Sequence, residues 1–247
     1  MTVALIIGGG PGISASCARL FNDHGLKVAI AARNPGKSAL QRLAEDHNCS
    51  LYQCDASDAD SVSQLFAQVA SEHGRINLVV HNIDGRSADI FRKEITEADH
   101  ELALSVLHNS AYSAFLVGQQ AARHMLDQDP DDTGQKGTII YTNASAAFKG
   151  YPSSGAFAMA SHAKAGLAQS MARELGPKGI HVAHAPIDAA IGWTQKDGTR
   201  AHRLAGTTVD DNMADPDRIA DTYWHLYQQH RSTWTFEVVI RPWVENW

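Results

Sequence analysis

A run of five apolar residues meets a glycine-rich loop near the start of the chain, and that junction restricts the fold more than any other feature. Val3-Ala4-Leu5-Ile6-Ile7 shows no alternation of apolar and polar residues. Both of its faces must therefore be buried, as in a strand of a parallel sheet. Gly8-Gly9-Gly10-Pro11-Gly12 then breaks the strand as a loop. Ile13, Cys17, Leu20 and Phe21 recur at i, i+4, i+7 and i+8, the stripe of an amphipathic helix that Gly25 closes. A glycine loop between a buried strand and a helix N-terminus lets backbone N–H groups approach a dinucleotide pyrophosphate.

The same alternation runs to the end of the chain. Strands are expected at Val28–Ala32, Leu51–Cys54, Leu78–Val80, Thr138–Thr142, Ile180–Ala185 and Phe236–Ile240. Helical stripes fall around Leu40–Ala44, Val62–Val69, Glu97–Leu126, Ala156–Leu175 and Ile219–Gln228. This pattern predicts an α/β fold: a doubly wound, Rossmann-type parallel sheet of about seven strands with helices on both faces. No linker or repeat divides residues 1–247, so a single domain is expected, with a substrate-covering segment near 190–215.

Composition narrows the function classes. A 44% hydrophobic chain with 19% charged residues is not disordered. A net charge of -6 argues against a nucleic-acid partner. No apolar run reaches the ~20 residues that span a bilayer. Cys17, Cys49 and Cys54 form no CxxC and leave an odd count, which suits a reducing compartment. With no basic n-region ahead of Val3, a cytoplasmic location is expected. The 13 His residues form no HExxH or HxxxH pair, so no metal is expected.

The loop spacing Gly8-x3-Gly12-Ile13-Ser14 resembles the short-chain dehydrogenase/reductase family, whose fingerprint is TGxxxGxG. Ile7 replaces the Thr and Ser14 the third Gly; the small Ser14 side chain is expected to be merely tolerated. The resemblance continues at Asp55-Ala56 after the third strand and at Asn82 in His81-Asn82-Ile83-Asp84. Further matches are Ala163-Lys164-Ala165-Gly166-Leu167 and the run Ala172–Ile180, and Ile187-Asp188 falls where the family has Pro-Gly near the nicotinamide. It implies cofactor contacts at Gly8, Gly10, Pro11, Gly12, Ile13, Asp55, Ala56, Asn82, Lys164 and Ile187. Ala32 stands where an acid would grip a ribose 2′-hydroxyl, and Arg33-Asn34 follow. An uncharged residue followed by Arg suits a 2′-phosphate, so NADP is the expected cofactor.

The family's carbonyl chemistry uses a Tyr-x-x-x-Lys pair, with a Ser after the fifth strand and an Asn on a helix. Four residues before Lys164 stands Ala160, so the usual proton donor is absent. The Ser position falls on Ala144, with Ser145 adjacent. Asn109, or Ser110, fits the helix Asn. Tyr151, in the loop Lys149–Gly155, is the preferred stand-in donor, ahead of His162. The expected catalytic set is thus Lys164, Ser145, Tyr151 and Asn109, and the space beside Ala160 is expected to hold water, substrate or Tyr151.

Three functions remain open. One is an NADP-dependent oxidoreductase for a ketone, imine or enone. The second is an NADP-binding sensor without turnover, and the third a lyase or isomerase on the same fold. Trp193, Arg200, His202 and Arg203 fall in the substrate-covering segment. The expected partners are a small-molecule substrate and further copies of the chain, as a homotetramer or homodimer.

Overall fold

A computed structural model describes residues 2–194, 200–202, 206–208 and 212–245. Six parallel strands form the central sheet: β1 (Thr2–Ile7), β2 (Lys27–Ala32), β3 (Ser50–Gln53), β4 (Arg75–His81), β5 (Gly137–Ala144) and β6 (Ile180–Ile187). Their order is β3-β2-β1-β4-β5-β6, which reverses direction between β1 and β4. Ligands of open α/β sheets bind outside the carboxyl ends of the strands at such a switch point.

The helices are α1 (Ile13–Asp23), α2 (Ser38–His47), α3 (Ala59–His73), α4 (His100–Leu107), α5 (Ser113–Leu126), α6 (Gly155–Leu175) and α7 (Pro216–Gln228). Side chains alternate across a strand, and β1 divides its residues accordingly. Val3, Leu5 and Ile7 join Phe66, Val69, Val117 and Met125 of α3 and α5. Ala4 and Ile6 join Phe21 of α1 and Tyr223 of α7 on the opposite face. Each face is a sealed core, and the sheet is buried between two helical layers.

The expected seventh strand, Phe236–Ile240, runs parallel to β6 but as a broken ladder. His184 N donates to Phe236 O at 2.7 Å, Val238 N to His184 O at 3.0 Å, Ile240 N to Pro186 O at 2.9 Å and Asp188 N to Ile240 O at 2.8 Å. Pro186 has no N–H, so the donor between those of His184 and Asp188 is missing.

The helical region expected from Glu97 begins at His100, where Asp99 caps it by accepting from Leu102 N at 2.9 Å. A π turn, His108–Tyr112, separates α4 from α5. Residues 193–194, 200–202 and 206–208 form a small antiparallel sheet. The side chains of Trp193, Arg200 and His202, and all of Arg203, lie outside the described residues. Among the described residues, no helix is long and apolar enough to cross a membrane.

Candidate functional site

The glycine loop leaves β1 at the switch point. Gly8 has φ +102, and a Cβ there would collide with the carbonyl oxygen of Asn82 at the end of β4. The two strand ends are therefore held closer than any side chain allows. Gly10 and Gly12 face open space. Asp58, Asp99 and Asp215 cap α3, α4 and α7, whereas Gly12 gives α1 no side-chain cap and its first turn has no acid. Free N–H groups at an open glycine cradle suit a pyrophosphate.

Ser14 is more than tolerated there. Its hydroxyl donates to Gly8 O at 2.7 Å and accepts from Asn82 Nδ2 at 2.8 Å. The residue replacing the third glycine thus ties the loop to the end of β4. Ile13 is buried beneath the loop, while Pro11 is exposed.

One side of the crevice is formed by the ends of β2 and β3. Arg33 and Asn34 are exposed just past β2, and Asn34 Oδ1 accepts from Gly36 N at 3.2 Å. Asp55 accepts from Ser57 Oγ at 2.7 Å and Ser57 N at 3.0 Å, and Ala56 beside it is buried. Those bonds, helped by the charge of Arg33, hold the Asp55 carboxyl below its ordinary value.

Lys164 occupies the other side. Its side chain is only 1% exposed. Nζ donates to Ile83 O at 2.9 Å and Thr142 O at 3.3 Å, joining the exits of β4 and β5. Burial pushes its pKa down to about 8, against the pull of Asp84. Ile187 is buried at the end of β6, and Asp188 follows it.

The pairing of Asp188 is a feature that sequence reasoning did not foresee. Asp188 is 3% exposed and pairs with Lys149 Nζ at 2.8 Å. Burial pushes its carboxyl up, but hydrogen bonds from Lys149 and Ser145 and the Lys149 charge bring it below its ordinary value. Ser145 is thereby buried beside a carboxylate, in the short turn that follows β5. Tyr151 is 44% exposed, and its ring centre lies 5.7 Å from the Lys149 ammonium.

A second unforeseen chain supports this turn. Asn143 Nδ2 donates to Ser161 O and to His184 Nε2, each at 2.9 Å. His184 must then carry its proton on Nδ1, which donates to Glu237 at 2.8 Å. Burial lowers the His184 pKa, against the Glu237 bond. These partners are 41 and 53 residues apart, and no local pattern joins them.

Two expectations on the helices need correction. Ala160 has no exposure and packs with Ile90 and Val106, so the space beside it is filled by apolar side chains rather than water, substrate or Tyr151. The ring that meets the segment after β4 is Phe157. The Arg86 guanidinium lies 3.6 Å from its centre and forms two bonds to Asp84, at 2.6 and 2.7 Å. Phe157, Ser161 and Lys164 fall at i, i+4 and i+7 on α6, a phasing visible in the sequence. Asn109 turns away, donating to Ser105 Oγ at 3.0 Å, while Ser110 is buried against Gly85 beyond β4.

Comparison with known proteins agrees with this geometry. Residues 9–240 match the family described as enoyl-(acyl carrier protein) reductase. The chain belongs to the short-chain dehydrogenase/reductase family. That family is one of nicotinamide-nucleotide oxidoreductases. Among solved structures, a short-chain dehydrogenase from Rhodopseudomonas palustris superposes with a TM-score of 0.78 at 30% identity, covering 98% of this chain and 99% of that one. A metagenomic short-chain oxidoreductase in complex with NADP shares the fold at 20% identity and TM-score 0.78, covering 99% of this chain and 98% of that one. The (+)-cis,trans-nepetalactol synthase of Nepeta racemosa is 27% identical over 91% of this chain and 83% of its own length. The (+)-borneol dehydrogenase 1 of Salvia officinalis is 32% identical over 72% of this chain, a match that spans 65% of the sage enzyme.

Proposed function

We propose that this short-chain dehydrogenase/reductase is an NADP-dependent oxidoreductase acting on a small ketone, imine or enone, with a proton donor other than the family tyrosine. The observation that carries this reading is Lys164, buried and fixed to the carbonyls of Ile83 and Thr142 across the crevice from the glycine cradle.

Gly8, Gly10, Pro11, Gly12 and Ile13 would hold the pyrophosphate. Asp55 and Ala56 would flank the adenine, and Arg33 with Asn34 would meet the 2′-phosphate. Asn82, Lys164 and Ile187 would line the nicotinamide side. The bound cofactor supplies the hydride. Ser145, whose hydroxyl donates to Asp188, would orient the substrate by accepting from its protonated nitrogen or hydroxyl. Lys149 neutralises Asp188, which leaves the Ser145 hydroxyl beside a balanced pair instead of a bare buried anion.

Phe157 brings no hydroxyl to the site face, so ketone reduction has to draw its proton from Tyr151 or water. An iminium ion already carries its positive charge and needs only the hydride. An activated enone accepts hydride to give an enolate, which takes its proton on carbon from water, so cyclic imines and activated enones are the preferred substrates. Asn109 has no part in this arrangement.

The same missing hydroxyl favours a second reading, an NADP-binding sensor without turnover. Following NADPH absorbance with a panel of ketones, cyclic imines and enones separates the two. Consumption with an imine or enone supports the oxidoreductase. NADPH binding with no consumption across the panel supports the sensor.

The protein is further proposed to be cytoplasmic and to assemble as a homotetramer through α4, α5 and α6. Leu104, Tyr112, Phe115 and Met159 are large apolar side chains left exposed there. Sedimentation at micromolar concentration should give a multiple of the chain mass, and a monomer would contradict it.

A further inference from the structure

Thr142, Asn143, Ala144 and Ser145 follow one another at the exit of β5. Thr142 O accepts from Lys164 Nζ at 3.3 Å, and Ser145 opens the turn beside Asp188. Asn143 stands between them, and its amide is bonded through both nitrogen and oxygen. Nδ2 donates one hydrogen to Ser161 O and the other to His184 Nε2, each at 2.9 Å. Oδ1 accepts from Ala144 N at 2.9 Å. Ala144 directly precedes Ser145, and Ser161 lies three residues before Lys164 on α6. One buried side chain thus ties the serine turn to the helical turn that carries the lysine.

That amide has one workable orientation. Turned over, it would set Nδ2 against the Ala144 N–H and Oδ1 against the Ser161 carbonyl, two contacts between like groups. His184 has to agree with it. A neutral imidazole carries one donor and one acceptor nitrogen, so Nε2 accepts only while Nδ1 holds the proton. Nδ1 then donates to Glu237 Oε2 at 2.8 Å. The His184 ring has no exposure, so solvent does not reach it to fix the tautomer. Glu237, 42% exposed, reaches it from the segment past α7. That segment pairs with β6 through the backbone of Phe236 and Val238, and the Glu237 side chain is not part of the pairing. With the proton on Nε2 instead, two donors would face each other in a buried place, and the Asn143 amide would have to leave a bond.

We propose that Glu237, His184 and Asn143 are positioning residues for the reaction. Glu237 fixes the His184 tautomer, His184 fixes the Asn143 amide, and the amide holds the Ser145 turn in register with Lys164. All three act through Ser145 and Lys164 rather than on the substrate. For its effect on rate the proposal rests on the oxidoreductase reading; for its effect on geometry it rests on the hydrogen bonds alone.

Glu237→Gln and Glu237→Met test it. The two new side chains are similar in length, and only glutamine keeps an oxygen that accepts from Nδ1. Proton–nitrogen correlation spectra of the His184 ring should place the proton on Nδ1 in the parent and in Glu237→Gln, with a share moving to Nε2 in Glu237→Met. The Ala144 and Ser145 amide signals and the Lys164 side-chain signals should shift in Glu237→Met and stay in place in Glu237→Gln. With an imine or enone that the parent consumes, Glu237→Met should lower kcat by about tenfold or more, the scale of a small misplacement at a site. The KM for NADPH should move less than kcat, because the glycine cradle lies outside this chain of bonds. Glu237→Gln should keep kcat close to the parent's, a rescue that a glutamate serving stability alone would not show. A parent ring protonated on Nε2 overturns the proposal, and that spectrum needs no variant. So do unmoved Ser145 and Lys164 signals in Glu237→Met, or an equal loss of kcat in both variants. A parent that consumes no NADPH with any substrate sinks the oxidoreductase reading instead, and the Ser145 and Lys164 signals still decide the positioning.

Discussion

Ser14→Ala removes one oxygen from the point where the glycine loop meets the sheet. The Ser14 side chain is 1% exposed, so water cannot take its place. Its hydroxyl makes two bonds, to Gly8 O at 2.7 Å and from Asn82 Nδ2 at 2.8 Å. Each such bond contributes about 1 kcal/mol net, and stranded buried partners raise the cost further. The expected loss is therefore about 2 kcal/mol, or about 4–8 °C in Tm for a chain of this size. Urea unfolding followed by circular dichroism, at fixed protomer concentration, measures it. The cycle with Asn82→Ala should show coupling of about 0.5 kcal/mol or more, because the two side chains are in contact. A loss below about 0.5 kcal/mol, the range of an ordinary surface substitution, would refute the bridging role and return Ser14 to a merely tolerated residue.

Three further outcomes follow from α6. Lys164 has a folded pKa near 8 against 10.5 when free, so between those values the unfolded chain binds more protons. Stability of the parent relative to Lys164→Met should then rise with pH from about 8 to 10.5, by about 3 kcal/mol at most, in urea titrations run at each pH. A pH-independent difference would contradict the buried charge. Phe157→Tyr puts a phenol beside Arg86 on the site face and should raise ketone reduction by about 10²-fold, read as NADPH consumption. Ala160→Tyr forces a ring against Ile90 and Val106, and should cost about 1–3 kcal/mol of stability with no gain in rate.

The scaffold was legible because its signals are local. The unalternated run at Val3–Ile7 and the glycines behind it predict strand, loop and helix in order, and all three are found. The π turn at His108–Tyr112 was not legible, since its helical stripe continues on both sides. The broken last strand had its cause in plain view at Pro186, yet that residue acts only through a partner some 50 positions away. In the site the division is the same. The loop glycines stood out by spacing, and Lys164 by the likeness of its segment to the family's. The bonds of Asp188 to Lys149 and of His184 to Glu237 join residues 39 and 53 apart, which periodicity does not register. Ala160 was singled out by its i, i+4 relation to Lys164, but a position on a helix face does not reveal what packs there. Ile90, from a segment without regular structure, closes that side, and Phe157 one turn earlier lies against the Arg86 guanidinium.

The measurement that bears most directly on the account is a pair of binding isotherms for NADPH and NADH on the unmodified protein, repeated on Arg33→Ala. A charge-assisted bond from Arg33 to the 2′-phosphate is worth about 1.5–3 kcal/mol, so NADPH should bind about 10- to 150-fold more tightly than NADH. Arg33→Ala should erase that preference by weakening NADPH alone. Equal dissociation constants for the two cofactors in the unmodified protein would contradict the NADP assignment, and no binding of either would contradict the cradle itself.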